Sequence, residues 1–152
     1  MKNTRLTSIL SSSVVACALT IGLLASAPSA LAQSRTTLSV NIPFAFRAEN
    51  QILPAGMYRI ERESDSVILL RGPGKAAGLV MMYGTSKTHP PDHGTIVFDR
   101  YGDEYFLRQV WTAENPNGLE CAKSRAEKAA LIAQNNQAPI TVELAVSTAP
   151  QK

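Results

Sequence analysis

Thr95-Ile96-Val97-Phe98-Asp99-Arg100-Tyr101-Gly102-Asp103-Glu104-Tyr105-Phe106-Leu107-Arg108-Gln109-Val110-Trp111 reads as two β-strands folded back on a Gly-Asp pair. Glycine first suits a two-residue type II′ turn, whose first position needs the left-handed backbone that glycine adopts without steric cost. In that register Arg100 faces Tyr105, Phe98 faces Leu107 and Ile96 faces Gln109. One face then gathers Ile96, Phe98, Tyr105, Leu107 and Trp111 as a core patch. The other sets Asp99 diagonal to Arg108, within reach of an ion pair. An exposed pair of that kind contributes about 0–1 kcal/mol.

Working back from the hairpin, Lys87 to Gly94 is a loop dominated by His89-Pro90-Pro91-Asp92-His93. Ala76 to Tyr83 is almost continuously apolar, which predicts a strand buried on both faces or covered by a helix on one. Gly72-Pro73-Gly74 and Ser64-Asp65 are turn signals on either side of a strand over Val67 to Arg71. Met57 to Arg62 is a further strand, with Tyr58 and Ile60 inward and Arg62 near the rim. It leaves a turn at Leu53-Pro54-Ala55-Gly56, where proline presets φ and glycine relieves the exit. Thr37 to Phe46 alternates strictly, with Leu38, Val40, Ile42, Phe44 and Phe46 on one side. Pro43 cannot donate to a ladder, so this strand is expected at an edge or with a bulge.

Beyond the hairpin, Thr112 to Gly118 is a polar loop broken by Asn115-Pro116-Asn117-Gly118. Ser124-Arg125-Ala126-Glu127 is a capping box, in which the serine oxygen accepts from the Glu127 N–H while the glutamate reaches back. A short helix follows to about Asn135, with Ala126, Ala129, Ala130, Ile132 and Ala133 as a shallow apolar face. Ile140-Val142-Leu144-Val146 is the last alternating strand, and residues 147–152 are expected to fray. Seven strands, one late helix and no βαβ alternation predict an all-β fold. The expected architecture is a single antiparallel β-sandwich or a small β-barrel with one short C-terminal helix.

Three strings occur in order: Ile42-Pro43-Phe44-Ala45-Phe46, Leu53-Pro54-Ala55-Gly56-Met57-Tyr58-Arg59-Ile60, and Phe98-Asp99-Arg100-Tyr101-Gly102-Asp103-Glu104-Tyr105-Phe106-Leu107. With them the chain resembles a group of small secreted proteins from soil bacteria, in which IPFxF, LPAGxYxI and FxRYGDxYFL recur ahead of a tryptophan and a capped helix. The resemblance spans roughly Val40 to Leu131 and implies a shared fold. It implies no activity and no catalytic residue.

The amino-terminal segment sets the expected compartment. Lys2 and Arg5 precede an apolar stretch over Val14 to Ala27, and Ala30-Leu31-Ala32 offers the small-x-small pattern of a cleaved secretory signal. Residues 1–32 are thus expected as a signal peptide and 33–152 as one secreted or periplasmic domain, frayed near 33–36. A membrane anchor needs about 20 predominantly apolar residues, and the run here is shorter and dotted with serines. Val14-Val15-Ala16-Cys17 matches a lipidation box, but the apolar segment continues past Cys17 where a lipoprotein should turn polar. Cleavage after Ala32 leaves 120 of the 152 residues, enough for one core. The chain carries 15 Lys and Arg against 12 Asp and Glu. Losing Lys2 and Arg5 leaves 13 against 12, a balance of +1. No basic run remains to act as a nucleic-acid footprint, and membrane contact is expected only through the leader during export. Cys17 departs with the leader, so Cys121 stands alone without an intramolecular disulfide, expected buried, with an intermolecular bridge as the alternative.

Candidate chemistry is sparse. His89, Asp92 and His93 offer two imidazoles and a carboxylate suited to zinc, nickel or copper, though a four-residue interval off a helix does not aim both rings at one metal. The plainer expectation is a solvated proline-rich turn. Arg100-Tyr101-Gly102-Asp103 superficially resembles an adhesive Arg-Gly-Asp loop, but Tyr101 interrupts it, and Arg100 is expected to stack on Tyr105. Gly72-Pro73-Gly74-Lys75 lacks the spacing of a phosphate loop, and no G-x-S-x-G elbow occurs. Glu61, Glu63 and Asp65 interleave with Arg59 and Arg62 as a solvated strand end. No catalytic residue and no cofactor is expected. The preferred expectation is a non-enzymatic binding or envelope-associated domain. The alternatives are a lipocalin-like carrier of a small apolar ligand, with Phe44, Phe46, Tyr58, Tyr83, Phe98, Tyr105, Phe106 and Trp111 as its lining, and a metal module on the His89 loop.

Overall fold

Inward side chains recur at every second residue through Leu38, Val40, Ile42, Phe44, Phe46 and Ala48, yet the chain changes sheet on the way. The computed structural model describes residues 37–148 apart from residue 75, all within one compact unit. The leader expected over 1–32 and the segment after 148 lie outside the described residues.

The strands in chain order begin with β1 (Thr37–Ile42), β2 (Phe46–Ala48), β3 (Gln51–Leu53) and β4 (Gly56–Ser64). They continue with β5 (Val67–Arg71), β6 (Ala77–Met81), β7 (Tyr83–Ser86), β8 (Thr95–Tyr101) and β9 (Glu104–Trp111). β10 (Asn117–Glu120) precedes the helix α1 (Arg125–Ala133), and β11 (Ile140–Ala145) and β12 (Ser147–Thr148) close the series. One five-stranded sheet runs β12-β1-β4-β5-β6. The second, seven-stranded, runs β11-β8-β9-β10-β7, with β2 lying parallel to β9 and pairing β3 on its other side. The fold is therefore mostly β, two sheets with one short helix. Neither sheet closes, so the barrel alternative is corrected to an open pair of sheets.

Among the described residues there are twelve strands rather than seven, because three expected strands bend from one sheet into the other and two short ones, β3 and β10, were not expected as strands. The bends fall at Phe44, Met82 and Val146. At the last two, a buried side chain stays in the core while its N–H makes one last bond in register with the preceding ladder: Met82 N–H donates to Ser66 O and Val146 N–H to Gly94 O, both at 2.8 Å. Sheet-switching corners of this kind keep the alternation intact. Residues 147 and 148, expected to fray, pair with β1 as β12.

The core between the sheets is filled by large side chains. Ile42, Phe46, Tyr58, Ile68, Leu70, Val80, Ile96 and Phe98 are all fully buried there. Edge contacts of Phe46 with Tyr58 and Phe98, each at 5.2 Å between centroids, lock the middle. Ala77 to Met81 is not buried on both faces as its apolar run suggested. Gly78 and Val80 point in, while Leu79 and Met81 stand out. The strand covered on both sides is β8, from Thr95 through Asp99. Its outer face is roofed by α1, where Tyr101, Phe106 and Ala130 form a second small cluster with Ala126 and Leu131. The helix thus presents Leu131 rather than Ile132 to the sheet, and Ile132 is exposed. Among the described residues no helix is long and apolar enough to cross a membrane.

The central hairpin has the expected turn, with Gly102 at φ +60° and Tyr101 opposite Glu104. Arg100–Tyr105 and Phe98–Leu107 pair as expected, but Ile96 faces Val110, not Gln109. Arg108 is an extra residue in β9, a bulge that shifts the register between Val97 and Phe98. It turns Val110 into the core and moves Trp111 to the opposite face.

Candidate functional site

The bulge positions a polar cluster on the outer face of the seven-stranded sheet. Freed from the ladder, the Arg108 guanidinium donates to Cys121 O and to Glu120 Oε1, each at 2.6 Å, and lies 3.7 Å from Asp99 Oδ2. Gln109 donates to the other Glu120 oxygen at 2.7 Å and accepts from the Trp111 indole at 3.1 Å. The Asp99–Arg108 pair expected at the surface is instead largely covered, with Asp99 only 7% exposed.

Helix α1 supplies the other half. Ser124 caps it as expected, its hydroxyl accepting from Glu127 N–H at 3.1 Å. The Glu127 carboxylate does not reach back to complete the box. It turns under the helix, 3% exposed, to accept from the Tyr101 hydroxyl at 3.3 Å. Lys123 donates to the same hydroxyl at 3.0 Å and stands 3.8 Å from Glu127. Burial pushes the pKa of both Asp99 and Glu127 up, against the opposing pull of Arg108 and Lys123. The Lys123 ammonium is shifted up, chiefly by its hydrogen bond to Tyr101. Among the described residues no buried side-chain nitrogen or oxygen lacks a hydrogen-bond partner. The cluster is internally satisfied, so its charges fix α1 and β10 on the sheet.

Cys121 is a free cysteine and is buried, the burial as expected. Burial pushes its thiol up to about 12. A thiol held protonated is a poor nucleophile.

Above this satisfied layer lies an open cleft. One hollow of about 360 Å³ is lined by Tyr83, Thr85, Arg108, Glu120, Cys121 and Lys123. A neighbouring hollow of about 560 Å³ shares Tyr83 and Lys123 and continues past Met81, Glu49 and Arg125. Tyr83, 61% exposed, is the common wall. Met81, 61% exposed at the end of β6, lines the second hollow beside it. Both hollows open to solvent and mix aromatic, cationic and carboxylate groups, a lining for a polar or extended partner.

The sequence-derived candidates lie elsewhere. His89, Asp92 and His93 are exposed on the loop between β7 and β8. That loop is tied down by Lys87 N–H on Pro116 O at 2.8 Å and Glu114 N–H on Pro91 O at 2.9 Å. Among the described residues no group of three or more His, Cys, Asp or Glu side chains is placed to hold a metal ion. Arg100 lies 5.5 Å from the Tyr105 ring centre and donates to Gly102 O at 2.6 Å, the stacked rim pair expected of it. Glu61 pairs with Arg71 at 3.2 Å and Asp65 with Arg62 at 3.4 Å, so these acids form no converging pair. Lys123 and Arg125 had drawn no attention, and Tyr83 only as one aromatic among several. The apolar run over Ala77 to Met82 was the available signal, because Leu79 and Met81 are left exposed once Gly78 and Val80 point inward. Comparison with protein-family models, with curated proteins and with solved structures returned no match.

Proposed function

We propose that this chain is an exported, non-catalytic binding domain whose partner occupies the cleft between β7 and the start of α1. The observation that carries the reading is Tyr83. A large aromatic side chain stands 61% exposed where two hollows meet, beside exposed Met81. Contiguous apolar surface rimmed by charge is the usual mark of a contact site. The leader pattern over residues 1–32 supports export. The pairing of the buried ionisable groups with one another, and a thiol held near 12, support a role without turnover. The apolar-carrier alternative is weaker, since Phe46, Tyr58 and Phe98 stand where a ligand between the sheets would lie.

The test is photo-crosslinking in the native host, with p-benzoylphenylalanine in place of Tyr83 and, as control, in place of Asp103 at the hairpin tip. A discrete adduct at position 83 and none at 103 supports the reading. No adduct, or the same adducts at both positions, overturns it. Turnover of any substrate class lost on a single point change would overturn the non-catalytic part.

A further inference from the structure

We infer that the partner binds by adding an extended, acidic segment to the free edge of β7, an inference that rests on the cleft reading above. Among the described residues the seven-stranded sheet ends at β7, which pairs only with β10. Lys87 N–H donates to Pro116 O at 2.8 Å just beyond that ladder. Antiparallel partners alternate between bonded and non-bonded pairs, so Thr85 and Tyr83 direct their backbone groups to β10. Asn117, opposite Ser86, agrees: its N–H turns away from β7 to Asn115 Oδ1 at 2.9 Å. The N–H and C=O of Gly84 and Ser86 therefore face outward. They offer two donors and two acceptors to an added strand.

The surroundings suit such a strand. Gly84 and Thr85 line a hollow on each face of the sheet, about 360 Å³ towards Arg108 and Lys123 and about 300 Å³ towards Arg62 and Asn117. Side chains of an added strand alternate between faces, so both hollows would be filled in turn. A Cβ on Gly84 would meet nothing within 4 Å, so the face of β7 is open at that position.

Charge selects the occupant. The cleft carboxylates are engaged: Glu49 Oε1 accepts from Met81 N–H at 2.6 Å, and Glu120 holds Arg108 and Gln109. Arg125 is exposed at the open end of the cleft, with no ion pair or hydrogen bond among the described residues, whereas Lys123, which lines both hollows on that side, is engaged by the Tyr101 hydroxyl and Glu127. The cleft charge left without a partner is the Arg125 guanidinium. A second copy of this chain fits less well, because a four-residue edge falls far short of the roughly 1,600 Å² that stable protein pairs bury.

The test uses two capped peptides of alternating sequence, glutamate with valine and lysine with valine, titrated into the full mature protein by calorimetry. Binding of the glutamate peptide at least about tenfold tighter than the lysine peptide is expected. Gly84→Pro removes only an outward N–H and suits an edge strand. It should leave the thermal midpoint unchanged and weaken binding by about tenfold or more. Arg125→Glu should weaken it about fivefold. No binding, equal binding of both peptides, or binding untouched by Gly84→Pro overturns the inference. Self-association abolished by Gly84→Pro, without peptide binding, overturns it in favour of a second copy. A Tyr83 crosslink that survives Gly84→Pro would leave the cleft reading standing while this inference fails.

Discussion

The Trp111 ring fills the space that a side chain on Gly118 would need: a Cβ there would fall 2.5 Å from Cε3 and 2.7 Å from Cδ2. The ring is held from its other sides by Lys87, 4.3 Å from its centre, and by the hydrogen bond to Gln109. This arrangement follows from the Arg108 bulge, which sends Trp111 to the outer face where β10 passes beneath it.

Gly118→Ala should therefore strain either the ring or the β10 backbone. Overpacking of this kind costs about 1–3 kcal/mol, which lowers the thermal midpoint by roughly 5–15 °C in a domain of this size. Trp111 is the only tryptophan, so its emission reports the same site directly and should shift to the red. An unchanged midpoint with unchanged emission would show that the contact carries no strain.

Arg108→Ala should cost more than an exposed ion pair would. The guanidinium is the neighbour that compensates Asp99, and it also holds Glu120 and the Cys121 carbonyl. Removing one partner of a covered pair costs about 3–5 kcal/mol, and partial solvent access at Arg108 reduces this to about 2–3 kcal/mol. Adding Asp99→Asn should recover part of the loss, because the stranded charge goes with it. Urea denaturation of the single and double variants measures this. Strict additivity of the two losses would mean that the pair does not interact.

Much of this core is legible in the amino-acid sequence. Period two identified Leu38, Val40, Ile42, Tyr58 and Ile60 as inward because alternation reports which side of a strand meets the core. It does not report which sheet the strand belongs to. Side chains keep alternating through the corners at Phe44, Met82 and Val146, so the sheet changes there left no trace. The Arg108 bulge was hidden for a related reason. An inserted residue flips the parity of Val110 and Trp111, and both are large enough to read as core on either face. The cleft was the least legible part. It depends on which of several apolar residues the fold leaves uncovered, and Tyr83 looks like any core aromatic until β7 is known to be an edge.

Asp99 and Glu127 also fix the sign of a pH effect. Burial raises both pKa values above the ordinary carboxylate range of about 4. A carboxyl with a raised folded pKa binds its proton more tightly in the native state. Its ionisation therefore costs native stability, and the cost appears as pH rises through the window above the unfolded value. Below that window the cost is absent. Glu127→Gln removes one such group while keeping its shape. The variant's stability relative to the parent should rise as pH increases above the ordinary carboxylate value of about 4, tracked by urea midpoints at each pH. A relative stability that falls instead would mean that Lys123 and Tyr101 outweigh burial at Glu127.

The amino terminus yields the last prediction, and it separates three outcomes cleanly. If Ala30-Leu31-Ala32 is read by signal peptidase, protein from the extracytoplasmic fraction begins at Gln33, and its intact mass lacks residues 1–32. If Cys17 were lipidated, the chain would begin there and gain the mass of acyl groups. If the segment were retained, the full mass would appear in the membrane fraction. Intact-mass measurement on fractionated cells distinguishes these directly. The first is expected, because the apolar stretch runs past Cys17 to Ala27, whereas a lipidated cysteine is followed by a polar tether. Ala32→Asp, which places a charge at the cleavage position, should then block processing and hold the precursor at the membrane. Release of a normally sized product from that variant would place the cleavage elsewhere.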